Sequence, residues 1–175
     1  MNFDLNRSIE ILERTPRSLR ELLDGICVDW TSNNEGGETW SVFDVLGHLI
    51  HGEKTDWIVR AKLILDGGER PFEPFDRFAQ FNGSKGRSLV ELLDEFAELR
   101  KRNLDTLRSL NIDAEKLRLE GMHPAFGKVD LSHLLAAWVV HDLGHISQIS
   151  RVMAKQYEEA VGPWIEYLGI LHRRV

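Results

Sequence analysis

The chain has 175 residues, 42% hydrophobic and 29% charged, enough for one domain to bury a core without disulfides or metal staples. Its 28 acidic residues against 22 Lys and Arg give a formal charge of −6, which leaves no basic footprint for nucleic acid. The start, MNFDLNRSIE, has no leader pattern, the apolar run Leu134 to Val140 is far too short to span a membrane, and Cys27 is the single cysteine. A single cytoplasmic domain over residues 1–175 is therefore expected.

Five segments carry helical periodicity and none sustains a strand alternation, so the fold class is all-α. In the first, Phe3, Leu5, Ile9 and Leu12 share a face. Thr15-Pro16 then reads as a cap and first-turn proline that restart a short second helix, ending near Gly25. Ser41-Val-Phe-Asp44 resembles a capping box and opens a long helix to about Asp66, closed by Gly67-Gly68.

Residues 67 to 87 form a crossover loop whose Phe72, Phe75, Phe78 and Phe81 recur every third position. They are expected to be buried, either as anchors of a surface cover or as a wall over a ligand pocket. Ser88-Leu-Val-Glu91 is a stronger capping box for the next long helix, which reaches about Leu110. Asp130 caps the last one, to about Tyr157, and a short turn follows Gly162-Pro163. Four main helices with short accessory helices imply an up-and-down-like four-helix bundle.

On the last helix Leu134, Trp138, His141, His145, Gln148 and Val152 fall within an arc of roughly 90°, so both histidines point inward. Two readings stay open: core histidines satisfied by hydrogen bonds, or an i, i+4 pair that chelates one ion. A third ligand must come from another helix, and His48 lies at the flank of the stripe Val42, Val45, Leu46 and Leu49, with His51 one turn on. Gly47 before His48 permits close approach of a neighbouring element.

Glu53 and Arg60 fall on the apolar side of that helix, where a charge needs a partner or a function. Glu53 is a candidate general base or an acceptor behind a ligand, and the other reading is an ion pair with Arg60 or another base. His123 and His172 sit in weakly periodic regions with loop-fixing or exposed roles, His133 points to another side, and Cys27 has no base beside it.

The stretches TWSVFDVLGHLIHGEKTDWIVRAKLIL and HPAFGKVDLSHLLAAWVVHDLGHISQISRV resemble the DinB-like family of four-helix metalloproteins over nearly the whole chain. The motifs are the Trp-Ser start with a following His, the His-Pro-x-Phe-Gly loop, and His-x-x-x-His followed by Gln. The resemblance implies a three-histidine site for a divalent ion, zinc or nickel, at His48, His141 and His145.

It also implies relatives that act with low-molecular-weight thiols. The function expected first is thiol S-transferase-like chemistry on a small electrophile, with the thiol as cosubstrate. The alternatives are a metal-dependent hydrolase and a non-catalytic metal-binding bundle. The partners implied are a small-molecule substrate and a second copy in a homodimer, with no nucleic acid and no membrane. For histidines of unperturbed pKa, about 6.5, metal affinity falls as the pH drops below that value.

Overall fold

The computed structural model describes residues 2–68 and 70–172. Its bundle is built from α1 (Leu5–Leu23), α3 (Val42–Thr55) with its continuation α4 (Trp57–Leu65), α6 (Leu89–Ser109) and α7 (Leu131–Lys155). Short helices α2 (Asp29–Ser32), α5 (Ala79–Gly83) and α8 (Gly169–His172) are accessories. Among the described residues no helix is long and apolar enough to cross a membrane.

The expected caps set the helix starts. Ser41 and Asp44, then Ser88 and Glu91, exchange side-chain and backbone hydrogen bonds as complete capping boxes, and Asp130 accepts the amide of His133 at 2.8 Å. These contacts satisfy amides that a helix start otherwise leaves without partners.

Two apolar layers make the core. One joins Leu19 and Leu23 of α1, Val45 and Leu49 of α3, Leu92 and Phe96 of α6, and Ile149 and Val152 of α7. The other joins Leu12, Trp57 and Ile64 with Leu104, Leu107, Leu131 and Trp138. Following each helix from one layer to the other shows that α1 and α7 run one way and α3–α4 and α6 the other. Because α3–α4 and α6 are parallel, the chain must return the length of the bundle between them, which is the task of the crossover loop. The main packing pairs are α1 with α6 and α7, and α3 with α6 and α7, so α1 and α3 lie across a diagonal. The order round the bundle is thus not the chain order of a simple up-and-down arrangement.

Four further expectations change. Proline does not restart the first helix: α1 runs through Pro16 unbroken. Proline cannot donate to the carbonyl four residues back, and that carbonyl, of Leu12, instead accepts Nη1 of the buried Arg100 at 2.8 Å. A distant side chain thus takes up the acceptor freed within the helix.

The long helix after Ser41 bends at Asp56, whose φ of −111° and ψ of −83° separate α3 from α4. Gly52, one turn earlier, leaves room for the Trp57 indole, whose Nε1 would lie 3.2 Å from a Cβ placed there. A side chain there would press on the indole and make it shift by a few tenths of an ångström.

A two-stranded antiparallel hairpin, β1 (Glu120–His123) with β2 (Gly127–Asp130), stands where no strand was read. Four residues per strand are too few to show alternation. Finally, the four phenylalanines are not equally buried: Phe72 is buried and Phe75 half-buried, whereas Phe78 and Phe81 are exposed. The loop carries α5, and this short helix is the neighbour that Gly47 admits, since a Cβ at Gly47 would lie 3.3 Å from the Gln80 Cβ.

Candidate metal centre

Between the two apolar layers lies a polar belt. On its α3–α7 side, Nε2 of His141 is 3.0 Å from Nε2 of His48 and 3.1 Å from Nε2 of His145, and all three nitrogens lie within 4.8 Å of one another. Helical spacing explains the pair on α7, because residues four apart stack on one face. His48 comes from α3, directly across the packed α3–α7 face.

These nitrogens cannot satisfy one another. The Nδ1–H of His145 donates to Oε1 of Gln148 at 2.8 Å, which leaves Nε2 of His145 with a lone pair. His141 Nε2 can donate or accept, but it cannot accept from one neighbour and donate to the other. A cation among the three would be shared by all three lone pairs, so the donor set fits a metal ion. Nδ1 of His48 and Nδ1 of His141 are buried and make no hydrogen bond among the described residues.

Burial, followed by the nearby His145, holds His48 at about 3, and the same two causes hold His141 at about 2. Burial also lowers His145, against the opposing effects of its hydrogen bond to Gln148 and the charge of Asp142. His48 and His141 are therefore neutral well below the pH at which free imidazole protonates, and His145 is shifted in the same direction, toward the state that ligates metal. The window in which protons compete for this site moves down from the 6.5 expected of unperturbed histidines.

The three rings form the floor of a cavity of about 590 Å³. Trp40, Trp57 and Phe75 wall it, the crossover loop adds Pro74 and Arg77, and the hairpin turn adds His123 and Pro124. Phe75 packs edge-on to His48 with ring centroids 5.3 Å apart. The loop is thus both cover and wall, through its half-buried ring.

Asp56 and Arg60 also line this cavity. Arg60 Nε lies 2.7 Å from Oδ1 of Asp56, yet burial outweighs that positive neighbour and raises Asp56 from 3.8 to about 6. The folded protein thus holds this proton more tightly than the unfolded chain. Its stabilising contribution is complete below 3.8 and is lost as the pH rises through about 6. In metal-free protein, the urea midpoint lost on Asp56→Asn should therefore be smaller at pH 7.5 than at pH 5. An equal or larger loss at pH 7.5 would mean that the Arg60 charge dominates.

A model of the DinB superfamily matches residues 11–149, which is most of the chain. The chain belongs to the DinB superfamily. No curated protein matches its sequence. Among solved structures, YfiT from Bacillus subtilis, described as "a probable metal-dependent hydrolase with an unusual four-helix bundle topology", matches with a TM-score of 0.74 and 22% identity, over 90% of this chain and 87% of that one. At that identity the likeness carries the fold.

In this DinB-superfamily chain it is His48, and not His51, that meets the α7 pair. His51 is half-buried and packs on Phe75 at 4.9 Å between centroids. Nδ1 of His123 accepts the amides of Ala125 and Phe126 at 3.1 and 3.3 Å, a loop-fixing role, while the residue also lines the cavity. His133 is exposed, His172 bonds to the Ile165 carbonyl at 2.7 Å, and Cys27 is exposed.

Glu53 is not among the residues lining the cavity. Its Oε1 accepts from Arg100 Nη2 at 2.8 Å and from Trp138 Nε1 at 3.1 Å, and its Oε2 accepts from Asn103 at 2.9 Å. Glu53 thus forms the ion pair expected of it, with another base rather than with Arg60: Glu53 takes Arg100, and Arg60 takes Asp56. Sequence reading missed Arg100 and Asp142. Each stands on an otherwise apolar helix stripe, four residues after Phe96 and Trp138 respectively, and a lone charge on such a stripe is the signal that could have found them.

Proposed function

We propose that His48, His141 and His145 hold one divalent ion, zinc or nickel, and that the chain is a metal-dependent enzyme acting on a small molecule in the cavity above them. The observation that carries this reading is the convergence of three imidazole nitrogens at the floor of a walled cavity. Three protein ligands leave coordination positions open, as catalytic rather than structural ions require. A bound ion supplies Lewis acidity there, making a water or a thiol nucleophilic near neutral pH.

Hydrolysis is the reading we place first. Asp56, on the same cavity and raised to about 6, can take up and return a proton near neutrality, as a general base must. The role first expected of Glu53 thereby passes to Asp56, and Glu53 serves by position beneath the floor. The description of YfiT supports hydrolysis by analogy of fold. Thiol S-transfer with a low-molecular-weight thiol stands second, supported by the aromatic walls, which suit a sulfur nucleophile and a poorly hydrated electrophile.

One panel separates these readings. Zinc-loaded and nickel-loaded protein should hydrolyse an activated ester or amide without added thiol, with saturation in substrate. Loss of a thiol that depends on a haloarene, with no hydrolysis in its absence, would move the assignment to transfer. If both forms are inert in both assays, the protein is a metal-binding bundle without catalysis.

A further inference from the structure

The cavity has a second chemical pole besides the histidines. Arg60 is buried at its wall, and the guanidinium is fixed from three directions. Nε meets Asp56 Oδ1 at 2.7 Å, Nη2 donates to the Glu73 carbonyl at 3.1 Å, and the group lies over the Phe72 ring at 5.2 Å from its centroid. Nη1 makes no hydrogen bond among the described residues. Arg77, exposed at the mouth, lines the same cavity and forms no ion pair among the described residues.

Two guanidiniums and one carboxylate therefore line a space otherwise walled by Trp40, Trp57 and Phe75, with the three histidines at its floor. Asp56 balances the Arg60 charge and Arg77 adds a second positive charge at the solvent edge, so a bound anion would meet a net positive rim. A guanidinium held rigidly with a free edge suits a planar carboxylate better than a mobile ammonium does. The aromatic walls provide area for an apolar body attached to it.

We infer that Arg60, assisted by Arg77, is an anchor for the carboxylate of a small, partly aromatic or otherwise apolar ligand. The enzyme's substrate class is then a carboxylate-bearing small molecule, whose reacting end reaches the histidine floor while its anionic end stays at Arg60. This rests on the reading that the cavity is the substrate site, but the anchor needs no metal.

The test compares benzoate with benzamide, which has similar shape and no charge. Binding to metal-free protein is followed through the fluorescence of the cavity tryptophans Trp40 and Trp57 and by calorimetry. Wild type should bind benzoate about tenfold or more tightly than benzamide, the ordinary worth of a hydrogen bond to a charged group. Arg60→Gln should erase the preference to within about twofold, and Arg77→Gln, at an exposed position, should weaken it about threefold. Circular dichroism checks that each variant is folded.

The anchor is overturned if wild type shows no preference for benzoate, or if every folded variant retains the full preference. Zinc binding measured on the same preparations keeps the two readings apart. Absent zinc binding with the benzoate preference intact sinks the metal site alone, and the reverse sinks the anchor alone. In zinc-loaded protein, 3-mercaptopropionate against 2-mercaptoethanol then locates the carboxylate. A preference in this pair, lost in Arg60→Gln, puts it on a thiol cosubstrate. A preference confined to benzoate puts it on the other substrate.

Discussion

His141→Ala should abolish stoichiometric zinc binding, while His51→Ala should leave it close to wild type. His141 is the ring whose Nε2 meets both of the others, at 3.0 and 3.1 Å, so its loss leaves His48 and His145 without their shared neighbour and only two donors for the ion. His51 packs on Phe75 and shares no nitrogen contact with the three. Gln148 provides the graded control. Its side chain fixes the tautomer of His145 from behind, and removal of such outer partners typically costs about 10- to 100-fold in metal affinity. The expected order of loss is His141→Ala, then Gln148→Ala, then His51→Ala, read as zinc stoichiometry and affinity by calorimetry in one buffer at pH 7.5. His48→Ala should fall with His141→Ala. Full occupancy in His48→Ala, with loss in His51→Ala, would reverse the assignment of the third ligand.

What the sequence made legible follows from what is local. Capping boxes at Ser41 and Ser88 involve residues three apart, and both formed as read. The inward arc of α7 is a matter of 3.6-residue periodicity, so the facing of His141 and His145 was also legible. The choice of His48 over His51 was not readable from geometry, since both lie on one helix face. It needed the resemblance, and the packed α3–α7 contact settles only which ring meets the pair. Pro16 misled because proline's cost in a helix is local whereas its remedy, the Arg100 contact to the Leu12 carbonyl, comes from 88 positions away in the chain. The bend at Asp56 was likewise invisible, and it is the bend that separates the fates of Glu53 and Arg60. Without it both would share one helix; with it Glu53 turns to the belt and Arg60 to the cavity.

Arg100→Met should be strongly destabilising, because the belt beneath the histidines depends on one cation. The Arg100 side chain is buried, with Nη1 2.6 Å from Asp142 Oδ2 and Nη2 2.8 Å from Glu53 Oε1. Both carboxylates are buried as well, and the guanidinium is sandwiched by Phe96 and Trp138 at 5.0 and 5.1 Å from the ring centroids. Although burial by itself opposes the charged form, Glu53 and Asp142 together outweigh it and raise the Arg100 pKa above its ordinary value. Methionine fills much of the volume but leaves two carboxylates out of water with no counter-charge. Breaking a buried pair in this way costs about 3–5 kcal/mol, a large share of the roughly 5–15 kcal/mol that holds a domain folded. Lysine should not rescue, since one ammonium cannot reproduce a fork that reaches two carboxylates and the Leu12 carbonyl. Neutralising the carboxylates should. The triple variant Arg100→Met, Glu53→Gln, Asp142→Asn removes the stranded charges and is expected to recover more than half of the stability lost by Arg100→Met alone, measured by urea unfolding at pH 7. If Arg100→Met costs less than about 1 kcal/mol, or the triple variant is no more stable than the single one, stranded charge is not what the arginine prevents.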